Sequence, residues 1–306
     1  MYAVETYGLT KRYGKQEAVH NLTLKIPEGS ICGFLGKNGA GKTTTIKMLV
    51  GLSRPTSGEI LIQGKNRIYG KLDNSYLGYL PDVPSFYNYF SAREYLDFCG
   101  KLYGLKAAER DKCIRELLEQ VGLSDTKMAV AGYSRGMKQR LGIAQALMNS
   151  PKIIFLDEPI SALDPIGRHE VMKLIQSLRG HITVFFSTHI LSDVENTCDY
   201  VVIMDHGKLI VSDSVENIKK RYMGNMSLLR LQSSEESDRF LKIITNYKEI
   251  KYEKCGLREI KLYSDNIMSL SKKIPEMLIK ANATLENYKV YIPTLEEIFM
   301  EVTSHE

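Results

Sequence analysis

One short segment narrows the possible folds of this chain more than any other. It is GKNGAGKT, residues 36–43, with the apolar run ICGFL before it and TIKMLVGL after it. The spacing G-x-x-x-x-G-K-[ST] between a buried strand and a helix is that of a phosphate loop. Its glycines let backbone N–H groups wrap an anion, and the following helix presents its N-terminus to the same charge. Lys42 brings a point charge to β- and γ-phosphates, and Thr43 offers a hydroxyl to Mg²⁺. A loop of this kind works at the end of a strand in a parallel sheet, so the chain is expected to be α/β.

The rest of the first two thirds agrees with that expectation. Residues 1–30 read as short strands with turns, and RPTSGEILIQG (54–64) as a turn and a strand. GYLPDVPSFY (78–87) reads as a loop punctuated by proline. A helical block follows over about 88–150, opening on SARE, a capping box in which Ser91 and Glu94 bond reciprocally. Strand and helix then alternate through KIIFLDEP, a helix over 165–179, ITVFFSTH, a short helix at 190–197 and YVVIMDHGKLI.

Two of these strands end in chemistry. KIIFLDEP closes on Asp157, placed to orient water on a metal, and on Glu158, placed to polarise an attacking water. ITVFFSTH closes on His189, within reach of a γ-phosphate if it shares a sheet with the phosphate loop. Asp164 in SALDP suits a helix cap, with Pro165 starting the helix. Tyr13 precedes the phosphate loop and offers a ring for stacking on a base. YSRGMKQR (133–140) is a second turn that faces an anion, at the start of its own helix.

Composition removes several alternatives. The net charge is +5, from 41 basic and 36 acidic residues, which makes no case for nucleic acid. No run approaches the ~18 apolar residues of a membrane span, and the N-terminus lacks the apolar centre of a signal peptide. The five cysteines have no paired spacing, and the six histidines form no ligand cluster. Past residue 219 the order β-α-β-β-α-β suggests a small ferredoxin-like domain over 220–306. Phe240, Ile243, Ile244 and Tyr247 share one face of its first helix.

Taken in order, GKNGAGKT, YSRGMKQ, IIFLDEP, SALD and STH resemble the ATP-binding cassette family over about residues 1–219. The resemblance implies a phosphate-loop NTPase cassette with a mixed sheet core, an antiparallel β subdomain and a helical insertion. It implies ATP and Mg²⁺, with Tyr13, Gly36, Asn38, Gly39, Ala40, Gly41, Lys42, Thr43 and Thr44 on the nucleotide. Thr43 and Asp157 serve the metal, Glu158 is the general base, His189 the switch histidine, and Asp164 lies in the loop that follows. Two such cassettes meet head to tail, so Ser134, Arg135, Gly136 and Met137 act on the partner's nucleotide. The partner is a second copy or a related chain. A separate membrane permease, docked near SFYNYF (85–90), completes a transporter. The cassette then lies in the cytoplasm on the inner face of the cell membrane.

Two motifs depart from the family pattern. Arg135 stands where glycine is usual, and Met137 where glutamine is usual. Asp82 stands where a glutamine usually touches metal and water; being shorter and charged, it either reaches the metal through water or takes no part. Such variants are familiar in bacterial exporters of the antibiotic-resistance and lipid-export type. That favours a motor for export of a drug, an antibiotic peptide or a lipid-like cargo. A soluble cassette ATPase acting on DNA or ribosomes is the alternative. Such proteins usually carry two cassettes or long coiled-coil or zinc insertions, which this sequence lacks. A small-molecule kinase would need the first motif but not the others.

Overall fold

The computed structural model describes residues 1–306 except 68–73, 124–126, 223–224, 248, 292 and 305–306. The chain divides into two compact units, Met1–Glu216 with Phe299–Glu306, and Asn217–Ile298. The sequence division at 219/220 places the chain end with the second unit, whereas Phe299 onward groups with the first.

In the first unit β1 (Tyr2–Tyr13) and β2 (Gln16–Pro27) form an antiparallel hairpin. Leu22, Leu24 and Ile26 turn one face of β2 inward, with exposed residues between them. The short strands expected over 1–30 are thus two long ones. Register shifts between Thr6 and Leu9, and between Leu9 and Lys11, break the alternation without ending the strand. β3 (Ile31–Leu35) is buried along its whole length and leads through the phosphate loop into α1 (Lys42–Leu49). β4 (Ser57–Ile62) and β5 (Lys65–Asn66) complete an antiparallel sheet of order β2-β1-β4-β5.

β6 (Leu77–Leu80) corrects the loop expected at 78–87. Leu77 and Leu80 are buried, and the strand pairs in parallel with β7 (Ile153–Leu156). The prolines that suggested a loop, Pro81 and Pro84, begin only after the strand ends. Between β6 and β7 the chain makes α2 (Ala92–Leu102), α3 (Ala107–Gln120) and α4 (Arg135–Leu147). These helices are the expected insertion; residues 124–126 of that stretch lie outside the described ones. The capping box is formed: Ser91 N–H donates to Glu94 at 2.8 Å and Ser91 Oγ accepts from Glu94 N–H at 3.3 Å. Such a cap is worth ~1 kcal/mol.

The unit continues with α5 (Pro165–Ser177), β8 (Thr183–Thr188), α6 (Leu191–Thr197), β9 (Tyr200–Asp205) and β10 (Lys208–Ser214), and α7 (Val215–Arg221) runs across the division at Glu216/Asn217. Among the described residues the second sheet has the order β10-β9-β3-β8-β7-β6. It is parallel except for β10, so the core is mixed as expected. β3, β8 and β7 are neighbours, and their C-terminal ends open on one side. In open α/β sheets that edge is where ligands bind.

The second unit holds β11 (Met226–Leu231), α8 (Ser234–Ile244), β12 (Lys251–Lys254), β13 (Glu259–Tyr263), α9 (Ile267–Ala281) and β14 (Leu285–Val290). Its described strands run antiparallel in the order β12-β13-β11-β14, the ferredoxin-like arrangement. Phe240 and Ile244 are fully buried, and Ile243 and Tyr247 pack at the edge of the same cluster. Pro275 sits inside α9 without ending it. α10 (Leu295–Ser304) closes the chain.

Candidate active site

The three adjacent strand ends deliver the polar side chains. β3 runs into the loop at 36–41, whose geometry demands glycine at two places. Gly41 has φ 100°, and a Cβ there would come within 2.5 Å of Ala18 O. A Cβ on Gly36 would come within 2.5 Å of Met204 O. The loop therefore packs closely against β2 and β9, with Ala40 N–H donating back to Lys37 O at 3.1 Å. Lys42 folds back over it, donating to Gly36 O at 2.7 Å and Lys37 O at 3.3 Å.

β7 ends at Asp157 and Glu158. Asp157 is 1% exposed, and its Oδ1 accepts from Thr43 Oγ1 at 3.2 Å and from Ser187 Oγ at 2.7 Å. Glu158 has φ 48°, a left-handed conformation that costs a non-glycine residue ~1–2 kcal/mol. Its carbonyl accepts from Ser161 N–H at 3.1 Å, closing the turn. Its N–H donates to Ser187 Oγ at 2.9 Å. This turn aims the carboxylate at the phosphate loop: Oε1 lies 3.4 Å from Lys42 Nζ and Oε2 3.1 Å from His189 Nδ1. Lys42 and Glu158 are largely buried, whereas His189 is half exposed.

These groups border a cavity of about 680 Å³. Of the residues predicted from sequence, Tyr13, Asn38, Gly39, Gly41, Lys42, Thr43, Thr44, Asp82, Glu158 and His189 line it. Gly36 and Ala40 lie behind the wall as buried supports, and Asp157 is buried beneath Thr43. Tyr13 is exposed at the rim, with Lys11 Nζ 4.8 Å from its ring centre. Sequence reasoning missed Gln16, Glu17, Ala18, Ser161, His206 and Gly207, which also line it. His206 and Gly207 form the β9–β10 turn, tied in where Gly207 N–H donates to Ala40 O at 3.1 Å. No local sequence signal marks them, because only the sheet order brings that turn to the loop. Ser187 was missed as well, hidden in the apolar run of β8.

The turn at Ser134–Met137 lies elsewhere in the same unit. Ser134 caps α4, its Oγ accepting from Met137 N–H at 3.1 Å. None of Ser134, Arg135, Gly136 and Met137 lines the cavity above. Gly136 has no positive φ, and a Cβ there would meet nothing nearer than 3.7 Å. Its own chain thus has no need of glycine at that position. Asp164 caps α5 by accepting from Gly167 N–H at 3.1 Å, with Pro165 as the first helical residue.

Two of the three residues that depart from the family pattern meet at one place. Asp82 and Arg135 both line a smaller cavity, about 320 Å³, together with Lys138 and Gln139. Asp82 therefore borders both cavities, and its Oδ1 is buried without a hydrogen bond. Gln139 Nε2 donates to Asp82 O at 3.2 Å, tying α4 to that loop. Tyr79 nearby stays a neutral phenol: burial first, then the charges of Asp157 and Asp82, push its pKa up to about 12.

A divalent cation carried in on phosphates suits this donor set. Mg²⁺ takes one or two carboxylates and fills its octahedron with water and phosphate oxygens. The Thr43 hydroxyl and the Asp157 carboxylate, held together beside the phosphate loop, are the groups that would hold it.

A family described as ABC transporter matches residues 19–161. The chain is 44% identical over 237 residues to the uncharacterized ABC transporter ATP-binding protein YxlF of Bacillus subtilis, covering 77% of this chain and 78% of that one. It is 38% identical over 303 residues to the bacitracin transport ATP-binding protein BcrA of Bacillus licheniformis, covering 98% and 96%. Among solved structures, the ATP-binding subunit of an ABC transporter superposes with a TM-score of 0.65 at 30% identity, covering 72% of this chain and 93% of that one. The structure of cbiO1 from Clostridium perfringens, part of the ABC transporter complex cbiONQ, gives 0.66 at 26% identity, covering 80% and 96%.

Proposed function

This chain belongs to the ATP-binding proteins of the ABC transporter family and hydrolyses ATP, and we propose that it is the motor of an exporter, working as a head-to-tail pair on a separate membrane permease. The observation that carries the reading is Glu158, held at the cavity wall between Lys42 and His189. Entering phosphates take over Lys42, which frees the Glu158 carboxylate to polarise a water in line with the γ-phosphate. His189 steadies that carboxylate and faces the same phosphate. Tyr13 stacks on the base. Thr43 and Asp157 are the residues that would hold Mg²⁺, which would supply positive charge to the phosphates.

The turn Ser134–Met137 does not line the cavity beside the phosphate loop, and a Cβ on Gly136 would meet nothing nearer than 3.7 Å. Both facts fit a surface that covers the γ-phosphate bound to a partner. The chain carries both halves of such a site, so a second copy related by a two-fold axis completes two of them. ATP then closes the pair and hydrolysis releases it.

Among the described residues no helix is long and apolar enough to cross a membrane. A peripheral place on the cytoplasmic face of the membrane therefore requires a permease to hold the cassette. Exposed Tyr87 and Tyr89 form a ring cluster with Phe90 and Phe98, with centroids 4.7 to 5.9 Å apart along Tyr87–Tyr89, Tyr89–Phe90 and Tyr87–Phe98. That apolar patch suits a short helix of the permease. The relative named for bacitracin transport makes peptide antibiotics the first cargo to try. From detergent-solubilised membranes of the source cell, the tagged chain is expected to bring down a multi-span protein. The Tyr87→Ala/Phe90→Ala variant is expected to lose it. A pull-down yielding only ribosomes or DNA would overturn the transport reading.

A further inference from the structure

β8 points two polar side chains at Glu158, and His189 at its end accounts for only one of them. The other is Ser187, fully buried and directly after the apolar stretch Val184–Phe186. Leu156 pairs with Phe186 across β7 and β8, so one further step of that register sets Ser187 beside Asp157. The hydrogen-bond directions are forced. The Glu158 N–H can only donate, so Ser187 Oγ accepts it at 2.9 Å. The Asp157 carboxylate can only accept, so the hydroxyl gives its single proton to Oδ1 at 2.7 Å. One hydroxyl thus satisfies both bonds without competition.

We propose that Ser187 is a positioning residue of the hydrolysis site, fixing the main chain of Glu158 and the carboxylate of Asp157 at once. A buried serine in a strand can bond within its own strand. This one instead reaches across to the two acidic residues the site depends on. Glu158 is the place where such a tether matters. Its left-handed backbone is disfavoured for a residue with a side chain, and it persists only when neighbours hold it. The tether holds the main chain while Lys42 and His189 hold the carboxylate, and only Lys42 must rearrange when phosphate enters. Asp157 is held in the same way: Thr43 and Ser187 both donate to its Oδ1, at 3.2 and 2.7 Å. The proposal rests on Glu158 being the general base.

The test uses the full-length chain. Ser187→Ala and Ser187→Thr are compared with the parent and with Glu158→Gln in steady-state ATPase assays. Binding of a fluorescent ATP analogue without Mg²⁺ and thermal unfolding are measured alongside. For Ser187→Ala, kcat is expected to fall at least ~10-fold while KM and metal-free nucleotide binding stay within about twofold of the parent. Ser187→Thr, which keeps the hydroxyl, is expected to recover most of that loss. A kcat within about twofold of the parent for Ser187→Ala, or nucleotide binding that weakens in step with kcat, overturns the proposal. So does a threonine variant no better than alanine. If Glu158→Gln also turned over normally, the fault would lie with the assignment of the base; if it were dead while Ser187→Ala was normal, only the role of Ser187 would fall.

Discussion

Replacing Glu158 with Gln lowers ATP turnover by at least ~10²-fold, the order expected when a positioned base is lost. The same change leaves ATP binding intact or tighter. In the structure the carboxylate neutralises Lys42 across 3.4 Å, in a largely buried setting. Glutamine keeps the shape of the side chain and the left-handed turn, but it no longer holds Lys42 as an ion pair. The lysine is then free for phosphate, and one negative charge beside the γ-phosphate is gone. ATP that binds well but is not hydrolysed keeps the pair closed, so a particle of doubled mass should accumulate in ATP and Mg²⁺ on size exclusion. Turnover close to that of the parent would remove Glu158 from the role of base.

Gly136→Ala separates the needs of the fold from those of a partner's nucleotide, because its two effects have opposite signs. Within its own chain a methyl group meets nothing closer than 3.7 Å, and the residue lies in α4. Alanine in a helix should then be neutral or stabilising by up to ~1 kcal/mol. At the tip of α4, however, the methyl group projects where a phosphate must approach the backbone N–H groups. A displacement of about 1 Å at a reacting group is enough for ~10²-fold, and a turnover loss of that order is expected. Thermal unfolding and ATPase assays on one preparation measure both effects. Unchanged turnover would mean that no nucleotide meets this turn, and a parallel loss of stability would mean that the glycine serves the fold.

What could be read from the sequence was whatever is locally coded. The glycines and Lys42 of the phosphate loop announce themselves because only that spacing leaves a backbone free to wrap an anion. Asp157, Glu158 and His189 were legible because each ends an apolar strand, where a polar side chain has no reason to sit unless it reaches a site. Ser187 was not legible, since a small hydroxyl inside a buried strand is indistinguishable by pattern from a packed residue. Its contacts with Asp157 and Glu158 come from the β7–β8 register, a non-local property. The turn at His206 and Gly207 reaches the cavity for the same kind of reason. β6 was hidden by its neighbours, because the prolines that follow a short edge strand outweighed the burial of Leu77 and Leu80. The bulges of β1 similarly disguised one long strand as several. That Asp82 and Arg135 share a cavity also escaped the sequence, in which they are far apart.

The most direct test of the account is to mix two inactive variants. Lys42→Ala disables the phosphate loop, and Ser134→Arg blocks the turn that faces the partner. In a head-to-tail pair of one chain of each kind, both defects fall in one site and the other site is whole. Each variant alone should be nearly inactive. An equal mixture should recover about one quarter of the parent's ATPase activity, since half the pairs are mixed and each has one intact site of two. No recovery on mixing would contradict the claim that two copies of this chain complete each other's site.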